Sequence, residues 1–457
     1  MSIIILVLGL TVFIAHFLVY LFKKTGIPDV LILMMAGIVL GPITGVVSPD
    51  AFGQVGKVMT TIALIVILFE SGVNLRLSTL FSALGQTMII TLVTFVFTAG
   101  VVALIMHLAG GLSWPLSFMT GAILGGTSSA VVIPLVNGLN MAQKPGTVLN
   151  LESGITDVLC ILVAVGIANA AQPTSGGDID NMAIGTSILL SFGGALLLGV
   201  GAGLSWALIM GRMRMVPNTI FTTVAYVFVI YGTAEYLQVS GAIASLAFGI
   251  TIANVERIRL NVGNAVFEVA EVAAIDRAVF SEAVFLLKTF FFIYLGMSLQ
   301  FKNITSVVLA LLIIAPVYFG RFFIIRGLAS RSYTQRDASL MTVMVPKGLA
   351  AAVLAMLPAD YGFPEDEANL VLYTVFMVVL ISIVLTAIMV ILLEKSDLRN
   401  LYYRVFSTFA AEAAPAVPAV PAVSAVPAPE SAAISTASPA PERAAAPPDM
   451  APPTEPE

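Results

Sequence analysis

Long apolar runs, separated by short polar connections, extend from the first residues of the chain to about residue 395. A helix that spans a membrane needs about 20 mainly apolar residues, and about thirteen runs meet that requirement. The predicted spans are residues 2–22, 28–48, 56–73, 83–108, 115–137, 147–170, 184–210, 219–237, 239–254, 283–299, 304–326, 339–357 and 368–394. This pattern predicts an all-α polytopic membrane protein.

The basic residues of the connections support this count. Lysine and arginine are concentrated after odd-numbered spans and after the last span, as with Lys23, Arg212, Arg331 and Lys395. Connections rich in these residues stay in the cytoplasm. We therefore expect a multi-pass protein of the cell membrane, with its N-terminus outside and its C-terminus in the cytoplasm.

The composition excludes several classes of protein. Of the 457 residues, 59% are hydrophobic and 10% are charged, against about 25% charged residues in a soluble domain. The net charge of -5 disfavours nucleic-acid binding. One cysteine, Cys160, and two histidines, His16 and His107, cannot build a metal cluster. We expect these three to pack between helices, and we expect a protein that is not an enzyme and needs no cofactor.

Two segments differ in character from the spans. Residues 255–282 mix arginine, glutamate and apolar positions, which is typical of a helix at the cytoplasmic interface. Twelve of the 24 prolines lie between Pro415 and Pro456, among alanines. Such a composition cannot bury a core. We therefore predict a transmembrane domain over 1–395 and a disordered cytoplasmic tail over 396–457.

The chain also repeats itself at low identity. Gly72 near the end of span three and Gly296 near the end of span ten are 224 residues apart, and the same offset carries Thr127 to Ala351. Seven spans separate the partners, so the second copy crosses the membrane in the opposite sense. Inverted repeats are typical of secondary transporters, with the binding site between the copies. We predict that spans 1–6 and 8–13 form two such repeats.

Span six carries two acidic residues that are costly in a membrane, Glu152 and Asp157. Five residues apart on a helix, they point in different directions, so that one can bind an ion while the other forms an ion pair. Ser153 shares a face with Asp157, and Thr156 shares a face with Glu152. Asp157 is the better candidate ligand for an alkali cation, since Ser153 adds a hydroxyl beside it.

Spans five and twelve each contain residues that break helices. In span five Gly125 and Gly126 precede Thr127 and Ser128, so freed carbonyls and hydroxyls can coordinate a small cation. In span twelve Lys347 lies between a proline and a glycine. We predict two broken helices, with Thr127 and Ser128 at the cation site and Lys347 paired with Glu152.

Three further charged residues lie inside or near the ends of spans. Arg321 and Glu70 lie toward cytoplasmic ends, and we expect both side chains to reach the membrane surface. Lys288 in span ten has two interpretations that the sequence does not separate. It either extends to the membrane surface or joins the acidic cluster of span six as an accessory residue.

Together these motifs resemble the monovalent cation:proton antiporter superfamily. The resemblance covers residues 2–395 and is carried, in order, by five groups of motifs, which are Gly26-Ile27-Pro28 with Gly37-Ile38-Val39-Leu40-Gly41-Pro42, Leu68-Phe69-Glu70-Ser71-Gly72, Thr127-Ser128-Ser129-Ala130-Val131-Val132, Glu152-Ser153-Gly154-Ile155-Thr156-Asp157, and Phe291-Phe292-Ile293-Tyr294-Leu295-Gly296-Met297-Ser298.

The resemblance implies more than the motifs state. It implies two crossed broken helices, a homodimer and an elevator-like alternation of access. It also implies that Asp157 binds the cation or proton, that Thr127 and Ser153 line the site, and that Glu152 pairs with a basic residue of the second broken helix, here Lys347. Thr156 and Lys347 replace residues usual in the sodium/proton exchangers, and span five resembles the potassium-efflux branch.

The resulting hypothesis is electroneutral exchange of protons for Na⁺, or for Li⁺ or K⁺, with Asp157 as the shared site. The alternatives are a K⁺/H⁺ antiporter or a channel-like K⁺ pathway, and a sensor or scaffold that does not transport. We expect membrane lipid, the two transported ions and a second copy of the chain as partners, and no nucleic acid.

Overall fold

The computed structural model describes residues 13, 17, 29–45, 53–74, 77, 85–171, 181–213, 222–255, 261–262, 265–266, 274–299, 301 and 304–410. All but two residues of the predicted first span, His16, half of the segment 255–282 and the proline-rich part of the tail lie outside these residues. The motif Gly26-Ile27-Pro28 lies outside them as well.

Almost all of the described chain is α-helical. The helices are α1 Asp29–Ile38, α2 Gly53–Asn74, α3 Gln86–Leu108, α4 Trp114–Leu124, α5 Ser129–Gly138, α6 Gln143–Ala171, α7 Asn181–Met213, α8 Thr222–Tyr236, α9 Gly241–Asn254, α10 Ala274–Met297, α11 Ile304–Leu328, α12 Gln335–Val343, α13 Leu349–Leu354, α14 Leu357–Asp360, α15 Glu365–Lys395 and α16 Leu398–Val405. A π-helical turn over Val39–Ile43 extends α1, and two short antiparallel strands, Asn261–Val262 and Ala265–Val266, follow α9.

The predicted spans from the second to the thirteenth coincide with these helices. In the described part of the chain, six segments are long and apolar enough to cross a membrane. Exposed large apolar side chains cover the outward face of α3 and α11, including Val96, Leu104, Leu311 and Phe319. These faces suit contact with lipid, because lipid tails replace water around them. The all-helical membrane fold is confirmed, and the number of thirteen crossings stays a prediction.

Two pairs of glycines mark where repeated helices cross. An added Cβ on Gly37 of α1 lies 2.9 Å from the Cα of Gly296 in α10, and one on Gly249 of α9 lies 3.1 Å from the Cα of Gly72 in α2. The backbones touch because no side chain separates them. The repeat exchanges these pairs, since α1 corresponds to α9 and α2 to α10. The two repeats therefore pack against each other through equivalent helix contacts.

Spans five and twelve are broken, as predicted, and the breaks cross. Span five divides into α4 and α5, and span twelve into α12 and α13. The backbone N–H of Ser128 donates to the carbonyl of Pro346 at 2.7 Å, which joins the two unwound segments directly. The half-helices begin at Ser129 and Leu349, so the second break lies four residues earlier than the 224-residue offset predicts. Thr127 therefore corresponds to Lys347 and not to Ala351.

The folded part of the chain extends past residue 396, where the sequence placed the start of the tail. Helix α16 follows α15, and the aromatic rings of Phe322 and Phe406 lie 5.5 Å apart, centroid to centroid. The backbone of Ala410 then accepts from Gln335 at 2.9 Å and donates to Tyr333 at 3.0 Å. The aromatic residues after Lys395 supply the apolar surface for this packing, and a tail of proline and alanine lacks it.

Candidate functional site

A small cavity of about 20 Å³ lies where the first broken helix meets α2, α6, α10 and α13. Its size is enough for about one water molecule. The residues that line it are Glu70, Ser71, Ser128, Ser129, Ala130, Asp157, Lys288, Leu349 and Ala350. The polar members come from four separate parts of the sequence, which only the packing of the helices brings together.

Asp157 lies at the buried side of this cavity. Its side chain is 8% exposed, and Oδ2 accepts a hydrogen bond of 2.7 Å from the hydroxyl of Ser129. Ser129 is the first residue of α5, and Leu349, which also lines the cavity, is the first residue of α13. The N-terminus of each half-helix carries a partial positive charge, which favours a carboxylate at this point. The N-termini of the two half-helices thus stabilise the buried carboxylate of Asp157.

Ser128 supplies a second oxygen to the cavity. Its side chain is 2% exposed, and within the described part of the chain its Oγ has no hydrogen-bond partner. Buried hydroxyls in proteins almost always have a partner. An oxygen left free beside Asp157 can serve as a ligand for a hard cation, since such cations prefer oxygen ligands. The structure therefore brings Asp157 and Ser128 of the predicted site together.

The other three predicted ligands do not line the cavity. The backbone N–H of Thr127 donates to Oγ1 of Thr156 at 3.1 Å, and that hydroxyl donates to the carbonyl of Ser153 at 3.2 Å. The hydroxyl of Ser153 donates to the carbonyl of Asn150 at 3.0 Å. Thr156 therefore holds the unwound segment against α6, while the hydroxyl of Ser153 is directed to its own helix.

Glu152 pairs with Arg321, so the predicted pair with Lys347 is wrong. Nη2 of Arg321 lies 2.7 Å from one carboxylate oxygen of Glu152, and Nη1 contacts the other. Arg321 also donates to Oγ1 of Thr94 at 3.0 Å and to the carbonyl of Met341 at 3.1 Å. Arginine presents a fork of donors that matches both carboxylate oxygens.

The predicted position of Arg321 at the membrane surface is also wrong. Its side chain is 1% exposed, as is that of Glu152. Two opposite charges that bond through both oxygens can remain buried, because each satisfies the other. The pair links α6 to α11 at a distance from the cavity lining.

Lys347 contacts the other helix break instead of a carboxylate. Its Nζ donates to the carbonyl of Gly126 at 2.9 Å, and its backbone N–H donates to Oγ of Ser382 at 2.9 Å. The carbonyl of Gly126 follows the last turn of α4, where the helix carries a partial negative charge. Lys347 therefore lies at the negative end of a half-helix, and it joins the two breaks a second time.

Glu70 and Lys288 form an ion pair in the cavity lining that the sequence did not predict. Nζ of Lys288 lies 2.6 Å from Oε2 of Glu70, and the two side chains are 26% and 24% exposed. Asp157 lines the same cavity as both groups. The expectation that Glu70 extends to the membrane surface is therefore wrong, and Lys288 joins the acidic cluster through Glu70.

The chain matches the family described as "Sodium/hydrogen exchanger, transmembrane" over residues 9–394. Among characterised proteins it is 24% identical, over 377 residues, to the K(+)/H(+) antiporter NhaP2 of Shewanella oneidensis. That alignment covers 79% of this chain and 61% of the relative, so the chain spans less than two thirds of the relative's length.

A second relative is similar over more of its own length. The Na(+)/H(+) antiporter 1 of Methanocaldococcus jannaschii is 22% identical over 415 residues, which cover 83% of this chain and 92% of the relative. The solved structure of the sodium proton antiporter MjNhaP1 from the same organism, at pH 8, superposes with a TM-score of 0.67 and 20% identity. It covers 84% of this chain and 96% of that chain, which establishes the same fold.

Proposed function

The chain belongs to the family of transmembrane sodium/hydrogen exchangers, and we propose that it exchanges protons for a monovalent cation across the cell membrane. The single observation that carries this proposal is Asp157, a buried carboxylate in a cation-sized cavity beside a helix break. It is a transporter that uses ion gradients, and neither a cofactor nor catalysis of a covalent reaction is required.

Asp157 serves as the shared site for proton and cation. Either a proton on its carboxylate or a cation held with the oxygen of Ser128 neutralises the charge, and the two exclude each other. A neutral site can pass through an apolar environment, whereas a bare carboxylate there is costly. Each change of access therefore carries one of the two ions, and the gradient of one drives the other.

The other charges near the site are balanced in place, which supports electroneutral exchange. Arg321 balances Glu152, and Lys288 balances Glu70. Lys347 donates from Nζ to the carbonyl of Gly126 and lies outside the cavity lining. The charge of Asp157 is then the one that the mobile ion balances, so one proton exchanges for one monovalent cation.

Na⁺ is the favoured cation, and K⁺ is the second candidate. The relative covered over 92% of its length is named a Na(+)/H(+) antiporter, while relatives covered over 61% are named K(+)/H(+) antiporters. The protein acts as a homodimer in the cell membrane, surrounded by lipid. Its N-terminus lies outside, and its C-terminal tail lies in the cytoplasm, as the distribution of lysine and arginine indicates.

Proton movement in inside-out vesicles that contain a pH-sensitive dye tests this proposal. Na⁺, Li⁺ and K⁺ are added separately to vesicles with the unaltered protein and with Asp157→Asn. We expect the addition of the preferred cation to make the interior alkaline, and we expect this response to disappear in the variant. Asparagine cannot take up a proton or supply a negative charge.

The matched control is Asp337→Asn, which alters a buried aspartate of α12 outside the cavity lining. This variant should retain exchange. Exchange that persists in Asp157→Asn would contradict the role of Asp157. Absence of any response in correctly folded, unaltered protein would contradict antiport and favour a channel or a sensor.

A further inference from the structure

The ion pair of Glu70 and Lys288 lies in the lining of the cation cavity, and the proposed exchange uses it only as a balanced pair of charges. Glu70 comes from α2, and Lys288 comes from the middle of α10, so the pair crosses between two helices of different repeats. Both are about one quarter exposed, whereas Asp157 is 8% exposed. The pair therefore lies on the more open side of the cavity, and Asp157 lies on the closed side.

The ammonium group of Lys288 resembles the transported ion in its charge. It carries one positive charge, has three donors and ends a flexible four-carbon chain. Asp157 and Lys288 line the same cavity. If the ammonium group turned to Asp157, it would neutralise the carboxylate just as a proton or an alkali ion does. Lys288 is thus a tethered competitor for the site.

Glu70 is the group that keeps this competitor occupied. Its carboxylate binds Lys288 at 2.6 Å and so compensates the positive charge that faces an entering cation. The negative charge of Glu70 favours cations near Asp157 whether or not Glu70 touches Lys288. The direct contact between the two side chains adds a second effect, because it fixes the position of the ammonium group.

We propose that Glu70 is a positioning residue that holds the Lys288 ammonium away from Asp157, and that this restraint sets the apparent affinity for the transported cation. The inference rests on the proposed exchange function. Its physical content is a competition between two carboxylates for one ammonium group, which Glu70 wins in the structure. Removal of Glu70 leaves Asp157 as the nearby carboxylate for Lys288.

The test measures the cation concentration that gives half-maximal exchange, in proteoliposomes with the purified full-length chain. The variants are Glu70→Gln, Lys288→Gln and the double variant, with the preferred cation of the unaltered protein as the probe. In Glu70→Gln the freed Lys288 competes for Asp157, so we expect the apparent KM to rise at least about tenfold.

The double variant decides between the possible roles of Glu70. Without Lys288 there is no tethered competitor, so we expect the apparent KM to return to within about threefold of the unaltered protein, a coupling that independent sites do not show. If Glu70 were itself a ligand of the cation, the double variant would remain as impaired as Glu70→Gln. If the pair only stabilised the fold, the apparent KM would stay constant in all variants.

The matched control is Glu394→Gln, because Glu394 pairs with Arg336 at 2.9 Å with side chains 28% and 24% exposed, away from the cavity lining. This variant should leave the apparent KM unchanged. Glu70→Asp provides a second route if Glu70→Gln does not fold. It keeps the charge but shortens the side chain, so we expect a smaller rise in the apparent KM.

Failure of this inference and failure of the proposed function give different results. If the unaltered protein shows no cation-dependent proton movement, the proposed function is wrong. In the second case, the unaltered protein exchanges ions while the apparent KM of Glu70→Gln either equals that of the unaltered protein or stays raised in the double variant. Either result contradicts the positioning role of Glu70 and leaves the proposed exchange intact. A constant apparent KM in Glu70→Asp, where only that variant folds, also contradicts the positioning role.

Discussion

At the scale of single residues, the buried polar groups of this protein differ mainly in whether they have partners. A chain of hydrogen bonds links Thr127 to Thr156 and Thr156 to Ser153, and Glu152 forms an ion pair with Arg321. The hydroxyl oxygen of Ser128 is buried without a partner among the described residues. A buried polar group without a hydrogen-bond partner raises the free energy of the folded state, and an ion bound to that group can offset this cost.

Ser128→Ala should therefore weaken cation binding without a loss of stability. Removal of the oxygen takes away a ligand, so we expect a higher apparent KM for the cation. Since the hydroxyl makes no hydrogen bond within the described part of the chain, the melting temperature in detergent should stay the same or rise. Cation titrations of exchange and thermal unfolding of the same preparation measure both effects. An unchanged apparent KM would show that Ser128 is not a ligand.

Arg321→Met should destabilise the protein strongly, because it leaves Glu152 charged, buried and unpaired. Loss of one partner of a buried ion pair costs on the order of 3–5 kcal/mol. The melting temperature in detergent should fall, and the double variant Glu152→Gln with Arg321→Met should recover much of the loss.

Arg336→Met is the control for this effect, since its partner Glu394 is partly exposed. Pairs at the surface contribute about 0–1 kcal/mol, so this variant should melt close to the unaltered protein. Equal melting temperatures for Arg321→Met and Arg336→Met would mean that the buried pair is not needed for stability.

At the scale of elements, close contact between helices positions the site. The glycine pairs let α1 meet α10 and α2 meet α9 at backbone distance. Helices α2 and α10 then place Glu70 and Lys288 in the cavity lining. The first helix break places Ser128 there, together with Ser129, which donates to Asp157. The geometry of the cavity thus depends on contacts that involve no charged group.

Gly249→Ala should destabilise the fold through this contact. The added Cβ lies 3.0 Å from the backbone nitrogen of Val73, so α2 and α9 must separate. Overpacking of this kind costs about 1–3 kcal/mol. Gly166→Ala is the control, since its added Cβ has no neighbour within 4 Å among the described residues. Thermal unfolding should show a lower midpoint for Gly249→Ala alone, and similar midpoints for both would contradict the contact.

At the scale of the whole molecule, the segment after α15 belongs to the folded part. Phe406 is fully buried, and Arg326 donates to the carbonyl of Val405. The guanidinium group of Arg331 lies 4.5 Å from the ring centre of Phe409. These contacts attach the chain before the proline-rich tail to α11, the helix that also carries Arg321.

Two truncations should separate the roles of this segment and the tail. Deletion of residues 413–457 should leave exchange unchanged, because a segment of proline and alanine cannot bury a core. Deletion of residues 398–457 should lower the melting temperature, because it removes the aromatic contacts of Phe406 with α11. Proton exchange and thermal unfolding of both proteins test this. Loss of exchange in the shorter deletion would favour a scaffold function for the tail.

The sequence alone was enough to predict the membrane class, the positions of the described helices and the two breaks, and to propose Asp157 as the ion site. Each of these follows from local properties, since apolar length, glycine or proline in a span and an acidic residue in an apolar run act where they occur. The repeat was also visible in the sequence, because Gly72 and Gly296 occupy equivalent positions near the ends of spans three and ten. Its offset changed by four residues at the second break, which a single matched pair cannot reveal.

Only the tertiary structure decided which charges meet. The rotation of each helix about its axis directs Glu152 to Arg321 and leaves Lys347 for the carbonyl of Gly126. The pair of Glu70 and Lys288 had one signal in the sequence, since both fall in the same half of the membrane when spans three and ten run in opposite directions. Contact between them required α2 and α10 to be neighbours, and packing between distant parts of the chain sets that property.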